Sequence, residues 1–312
     1  MNDIRGRYGE IFALCSTSPG CYIHAPDPRK TLEVTPEERE AFWENLYGSP
    51  GFGVWMGNFS DTLIDREANK LASEFIAKKI RQRVKDPAVA EKLVPKKHPF
   101  GTKRTPLDTN YYETFNKDSV LLVDVETDGP VEEITKKGIR AGGKDYEFDI
   151  IVFATGFDAF TGSLKALNIR GCGGRALNDA WADGPRTYLG LAVAGFPNLF
   201  TITGPQSPSV LANMPVAIEQ HVEWIADCIA YMREHGLTTV EAVPAAQDNW
   251  VAHVNEVVNG TLLPLGNSWW MSANIPGKPR AFLPYLGPEG IGGYRKRCAE
   301  ITAKGYEGFI LA

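Results

Sequence analysis

No apolar run in this 312-residue sequence is long enough to cross a membrane. The opening MNDIRGRYGE holds no apolar core of the kind a secretory signal needs. Cysteine is sparse: Cys15, Cys21, Cys172, Cys228 and Cys298 are scattered, odd in number and without a C-x-x-C. That argues for free thiols in a reducing compartment rather than a disulfide framework. Charge of one sign never accumulates, and the net is −5, which points away from nucleic acid and from acidic membrane surfaces. The expected location is therefore cytoplasmic, with no membrane and no nucleic-acid partner. The five histidines miss metal-ligand spacing and form no H-E-x-x-H, so no metal is expected. Gly204-Pro205-Gln206-Ser207-Pro208 is not a G-x-S-x-G elbow, and a hydrolase nucleophile has no support.

A phosphate-cradling G-x-G-x-x-G is missing too. Gly171-Cys172-Gly173-Gly174-Arg175-Ala176 fits G-x-G-x-x-A in letters. The motif needs a strand before it and a long helix after it, and Gly184-Pro185 ends the following segment too soon. Gly290-Ile291-Gly292-Gly293 opens a helix but has no buried strand leading into it, and reads as a turn.

What is present centres on two stretches, Tyr146–Asp158 (YEFDIIVFATGFD) and Asn198–Gln220. Each begins with an apolar run, Ile150–Ala154 or Leu199–Thr203, and breaks at glycine, Gly156 or Gly204. A buried strand ending in a glycine turn is where α/β proteins bring backbone close to a ligand. Further strands are expected at Ser119–Val125, Ile139–Arg140 with a partner near Tyr146, Thr187–Ala194 and Gly308–Leu311. Helices are expected over Ile4–Leu14 and from Thr35 to about Tyr47, where Thr35-Pro36-Glu37-Glu38 spells a capping box. Asp65 should cap a helix over Arg66–Val84, and Asp86-Pro87 should start another to Leu93. Pro215–His235, Ala245–Val257 and Tyr294–Lys304 complete the set. On Pro215–His235 the apolar stripe reads Val216, Ile218, Val222, Ile225, Ile229 and Met232. The first 98 residues or so read as a helical insertion rather than an independent nucleotide fold.

Some residues carry a chemical reading beside a plain one. Ala154-Thr155-Gly156-Phe157-Asp158 is either a tight strand-end turn or backbone passing close to a dinucleotide, with Gly156 leaving no side chain in the way. The helix start after Asn213 offers free N–H groups, which suit an anionic ring edge as well as any ordinary helix entry. Lys103-Arg104 is either a solvated pair or a phosphate contact beside a fixed planar donor. Ser268-Trp269-Trp270, followed by the Gly/Pro loop to Arg280, is a pocket wall or plain core.

Taken together, GTKRTPLDTNYYETFN, DIIVFATGFD, FPNLFTITGPQSPSVLANMPVAIEQHVEWIADCI and NSWWMSANIPGKPR closely resemble the flavin-dependent Baeyer–Villiger monooxygenases, nearest the phenylacetone and steroid branch. The resemblance implies bound FAD, NADPH as hydride donor and O2 as oxidant. A flavin C4a-peroxide then attacks a ketone to give an ester or lactone. It implies that Arg104 stabilises the reacting centre and that Lys103 touches the NADP 2′-phosphate. Thr155, Gly156, Phe157 and Asp158 would lie along the dinucleotide junction, and Met214 beside flavin and substrate. Ser209 and Val210 would shape the substrate pocket, and Trp269 would reach toward NADP.

The family's two glycine fingerprints and its F-x-G-x-x-x-H-x-x-x-W are absent. The expected architecture is thus an incomplete α/β, Rossmann-like flavoprotein with two dinucleotide-binding domains and a helical insertion, matching the C-terminal part of such enzymes. Residues 1–145 would be the end of the NADP-binding domain and 146–312 the end of the FAD-binding domain. Three functions remain open. The first is a Baeyer–Villiger enzyme of which this chain is a fragment, either of a longer polypeptide or completed by a separate N-terminal half-chain. The second is a flavin-free, inactive remnant or binding scaffold. The third is an N- or S-oxygenating flavin monooxygenase.

Overall fold

A computed structural model describes residues 2–312 apart from 286 and 288. The chain folds as two compact units, one of Met1–Lys70, His98–Thr105 and Asp158–Ala312, the other of Leu71–Lys97 and Pro106–Phe157.

The larger unit opens with α1 (Asn2–Gly6) and α2 (Tyr8–Thr17), then α3 (Pro36–Gly48) and α4 (Gly53–Met56). The capping box forms as spelled. Thr35 Oγ1 accepts from Glu38 N at 3.2 Å, and Glu38 accepts from Thr35 N at 3.0 Å. Asp65 likewise caps α5 (Arg66–Arg83), its Oδ1 accepting from Ala68 N at 2.8 Å. This helix begins in the larger unit and continues into the smaller.

The smaller unit continues with α6 (Pro87–Leu93) and α7 (Tyr111–Thr114). Ala77, Ile80, Val84, Ala90 and Val94 make its core. The Arg83 guanidinium forks between Asp108 and Glu113. A three-stranded antiparallel meander follows: β1 (Val131–Ile134), β2 (Gly138–Ala141) and β3 (Lys144–Glu147). Ile139 pairs with Tyr146, as the sequence suggested. The β2–β3 hairpin turns on Gly142 and Gly143, both at positive φ, as a two-residue primed turn requires.

Two expected strands of this unit do not form. Ser119–Val125 and Asp149–Ala154 are irregular. Residues 149–156 make no backbone hydrogen bond within the chain among the described residues. Ile150 is 79% and Val152 82% exposed. The apolar alternation is real, but a strand exists only where a neighbour supplies N–H and C=O partners and a layer covers its faces. Nothing in the described chain does so here.

Back in the larger unit come α8 (Gly162–Ala166) and α9 (Leu177–Ala180), then α10 (Met214–Glu234), β4 (Val240–Ala242), α11 (Pro244–Asn259), α12 (Gly290–Ala303) and β5 (Phe309–Leu311). β4 and β5 pair antiparallel, Val240 opposite Leu311. The Gly171 segment is a short 3-10 turn ahead of the four-residue α9, unlike a phosphate-binding helix entry.

Three expectations need correcting here. Thr187–Ala194 and Leu199–Thr203 are tight turns, not strands, with Leu189 and Thr203 in the left-handed region at φ 59 and φ 50. The Gly290–Gly293 stretch, read as a turn opening the Tyr294–Lys304 helix, already belongs to α12. Only Gly290, at φ 59, turns the chain. The buried face of α10 is Ala217, Gln220, His221, Trp224, Cys228 and Met232. Ile218, Val222 and Ile229 lie on the other face, exposed. Both sets have helical spacing, and burial selected the one that carries the aromatic and polar contacts. Trp224, for example, meets Tyr306 at 5.3 Å.

Candidate active site

A cleft of about 470 Å³ opens in the larger unit. Its walls come from three segments: Ala159–Leu164 before and within α8, the Phe200–Gly204 turn, and the Ser209–Met214 approach to α10, with Trp269 across from them. The chain meets the cleft in unusual backbone. Phe160, Thr203 and Ser209 all sit at positive φ, 63°, 50° and 33°. Each such non-glycine residue costs on the order of 1–3 kcal/mol, and such residues cluster where a site imposes shape.

The cleft is mostly apolar and aromatic, through Phe160, Leu164, Phe200, Ile202 and Trp269. One buried polar atom in its wall, Ser209 Oγ, has no partner among the described residues, and the same is true of Thr161 Oγ1, next in sequence to the wall residue Phe160. Buried hydroxyls are nearly always paired, with protein or with ordered water. At the α10 end, Asn213 gives no side-chain cap. The first-turn N–H groups therefore keep their partial positive charge, next to Met214 in the wall.

Arg104 stands behind this wall. Its Nη1 donates to Val210 O at 3.0 Å, and its guanidinium carbon lies 4.9 Å from the Phe52 ring and 5.1 Å from the Trp55 ring. Trp55 in turn stacks on Trp270 at 6.2 Å and donates to Gly101 O at 3.2 Å. A half-buried guanidinium between two ring faces is held by cation–π attraction as well as by its hydrogen bond. The result is a fixed positive charge beside the cleft, oriented by a scaffold that leaves it little freedom. Lys103 is exposed.

Trp269 is tied down at both ends of its loop. Its ring lies 5.8 Å from Phe160. Lys278, nearly buried, pairs with Asp158, and Arg280 Nη1 donates to Ser272 O at 2.7 Å. Asp158 thus reaches the site as an anchor for this loop. Ser209, Val210, Met214 and Trp269 line the cleft together. Thr155, Gly156 and Phe157 are exposed and lie in the smaller unit. Phe200 and Thr203 fall in the stretch singled out from the sequence, but Phe160, the left-handed turn at Thr203 and the Asp158–Lys278 pair went unforeseen, because left-handed backbone at Phe and Thr and a long-range ion pair leave no local trace in sequence. No group of three or more His, Cys, Asp or Glu among the described residues could hold a metal ion, and no helix there is long and apolar enough to cross a membrane.

Comparison with known proteins bears on this geometry. No family model matches the chain. A 2-oxo-Δ3-4,5,5-trimethylcyclopentenylacetyl-CoA monooxygenase of Pseudomonas putida is 45% identical over 100% of this chain and 57% of its own length. A Baeyer–Villiger monooxygenase of Pseudooceanicola batsensis is 43% identical over 93% of this chain and 52% of its own. A phenazine N-monooxygenase of Lysobacter antibioticus is 40% identical over 90% and 51%. Among solved structures, OTEMO in complex with FAD and NADP superposes with a TM-score of 0.95 at 45% identity, over 100% of this chain and 57% of that one. The fold is therefore that of the mixed α/β flavin monooxygenases. The chain is a relative of the Baeyer–Villiger monooxygenases, matched over its whole length and spanning a little over half of theirs.

Proposed function

We propose that this chain forms part of a cytoplasmic, FAD- and NADPH-dependent Baeyer–Villiger monooxygenase that converts a ketone, with O2, to an ester or lactone. The observation that carries this reading is one cleft that gathers Ser209, Val210, Met214 and Trp269, with Arg104 fixed behind Val210. The residues fit the ring of a flavin. The walls are largely apolar and aromatic, and the uncapped start of α10 suits the anionic edge of a reduced ring. When bound, the flavin supplies oxygen activation and NADPH supplies the hydride. The chain's own part is to bind and orient. Met214 and Trp269 flank the ring and the nicotinamide, Ser209 and Val210 shape the ketone pocket, and Arg104 holds positive charge where negative charge develops on the substrate oxygen. Lys103 serves the NADP 2′-phosphate, and Thr155–Asp158 follow the dinucleotide.

The described residues offer the ring a wall but hold no strand–glycine–helix cradle for its pyrophosphate. Exposed Ile150, Val152 and Phe153 in the smaller unit, and exposed Ile218, Val222 and Ile229 on α10 in the larger, are each the kind of apolar surface that further structure would cover. We assign that cover to polypeptide carrying the two glycine fingerprints, joined to this chain or supplied as a separate half-chain. The alternative of N-oxygenation is favoured by one observation, the 40% identity to a phenazine N-monooxygenase.

The test is to purify the 312-residue chain alone and together with such a complementing polypeptide. FAD occupancy and NADPH-dependent ester formation are then measured on a ketone panel against amines and sulfides. Expected are little flavin and no ester from the chain alone, and ketone turnover after complementation that Arg104→Ala abolishes. Turnover of amines but not ketones would move the chain to the N-oxygenating class. Complementation that restores FAD but no oxygenation would leave the binding-scaffold reading.

A further inference from the structure

The Thr201–Gly204 wall of the cleft rests on a polar relay buried behind it. His221, fully buried on α10, receives the Thr203 backbone N–H on Nδ1 at 2.8 Å. Its Nε2 lies 3.0 Å from the Tyr294 hydroxyl on α12. That hydroxyl donates to Leu189 O at 2.7 Å. The tautomer follows by elimination. Nδ1 must be the acceptor, because a backbone N–H faces it. The Tyr294 proton is already given to Leu189 O, so the hydroxyl can only accept from Nε2–H. Each group in the relay has its one proton placed and no choice left.

Both ends of the relay hold strained backbone. Thr203, a β-branched residue, sits at φ 50, and Leu189 at φ 59. The two turns lie against each other, Thr201 Oγ1 donating to Gly190 O at 2.8 Å. A left-handed threonine reverts to extended backbone unless something holds its peptide. Here the N–H of that peptide is given to the imidazole.

We propose that His221 is the positioning residue of the cleft, the neutral Nε2-H imidazole fixing the Thr203 peptide and thereby the wall against which the ligand lies. This concerns the wall whatever ring occupies the cleft, so it stands or falls apart from the oxygenase reading. The titratable groups near the imidazole are Tyr294 and, beyond it, Cys298 and Tyr285. Burial pushes all three upward, so they stay neutral. Arg295 and Arg297 act on Cys298. The imidazole itself is lowered to about 4 by burial alone. Below that value Nδ1 carries a proton that opposes the Thr203 N–H.

The experiment is amide hydrogen exchange, corrected for intrinsic rates, on the peptide covering 200–206. The internal reference is a peptide from the middle of α10, and the proteins are wild type, His221→Phe, His221→Gln and Tyr294→Phe. Expected is about tenfold faster exchange or more at 200–206 in His221→Phe, the equivalent of one lost hydrogen bond, with the reference unmoved. Glutamine, which can accept and donate in the same two directions, restores protection. Tyr294→Phe gives an intermediate loss. In wild type, exchange at 200–206 accelerates as pH falls through about 4, ahead of the reference. Unchanged protection in a folded His221→Phe, or failure of glutamine to restore it, overturns the assignment. Should His221→Phe not fold, the wild-type pH profile decides: parallel exchange of both peptides through about pH 4 and well below it refutes it.

Discussion

Gly156 and Gly204 look equivalent in the sequence, each breaking an apolar run, yet the structure ranks them in a definite order. At Gly204 a Cβ would lie 2.5 Å from Gly190 O and against Thr201 Oγ1. One of these is backbone and the other already donates to that same carbonyl, so neither can yield without opening the pair of turns. Overpacking of this kind costs about 1–3 kcal/mol, and a lost hydrogen bond adds about 1 kcal/mol. Gly204→Ala should therefore cost roughly 2–4 kcal/mol. At Gly156 (φ 88) nothing lies within 4 Å, and alanine pays only backbone strain, about 1 kcal/mol. The assay is urea unfolding followed by tryptophan fluorescence. All seven tryptophans lie in the unit that contains Gly204, and none in the unit that contains Gly156. Gly204→Ala should shift the fluorescence midpoint clearly downward while Gly156→Ala leaves it in place. A Gly204→Ala protein with the wild-type midpoint, or a Gly156→Ala protein that loses more, would refute the steric account of the cleft.

Further outcomes follow from the same contacts. Thr35→Ala removes the α3 cap and should lower stability by about 1 kcal/mol, measured by thermal unfolding. Because burial lowers His221 to about 4 in the folded chain against an ordinary value near 6.5, the unfolded chain binds the extra proton between these values. Stability from this group is complete above about pH 6.5 and falls as pH drops toward 4. The loss is on the order of 3 kcal/mol, and it should be absent from the urea midpoints of His221→Gln. Asp158→Asn should release the Lys278 pair at a cost of roughly 1–3 kcal/mol, because the lysine is nearly buried and keeps its charge. Trp269 should then become more accessible, read as increased acrylamide quenching relative to a Trp269→Phe background.

Local chemistry was legible wherever the signal and its effect lie within one turn. Thr35 with Glu38, Asp65 and Asp86 all cap the helices they were read to cap, and Ile139 meets Tyr146 across a glycine hairpin. The resemblance in the long motifs named Ser209, Val210, Met214 and Trp269, and these four line one cleft. What stayed hidden depends on partners distant in sequence. The runs at 119–125, 149–154 and 199–203 have strand composition, but a strand is a property of a pair. On α10 two apolar sets compete at the same period, and only the layer that covers Trp224 and His221 decides between them. Left-handed Thr203 and Phe160 are held by tertiary contacts that no local pattern encodes.

The exposed run Ile150–Phe153 has a practical consequence. Four successive β-branched or aromatic residues with no internal charge form a short, sticky ribbon. Asp149 and Asp158 flank it, as charged gatekeepers often do, but Asp158 is already neutralised by Lys278. A single carboxylate is left to keep one copy from stacking on the next. Salt above physiological strength weakens that last repulsion. Concentrated, salty preparations of the isolated chain should therefore cloud and form thioflavin-positive aggregates long before the helices melt, and Val152→Lys should keep them clear.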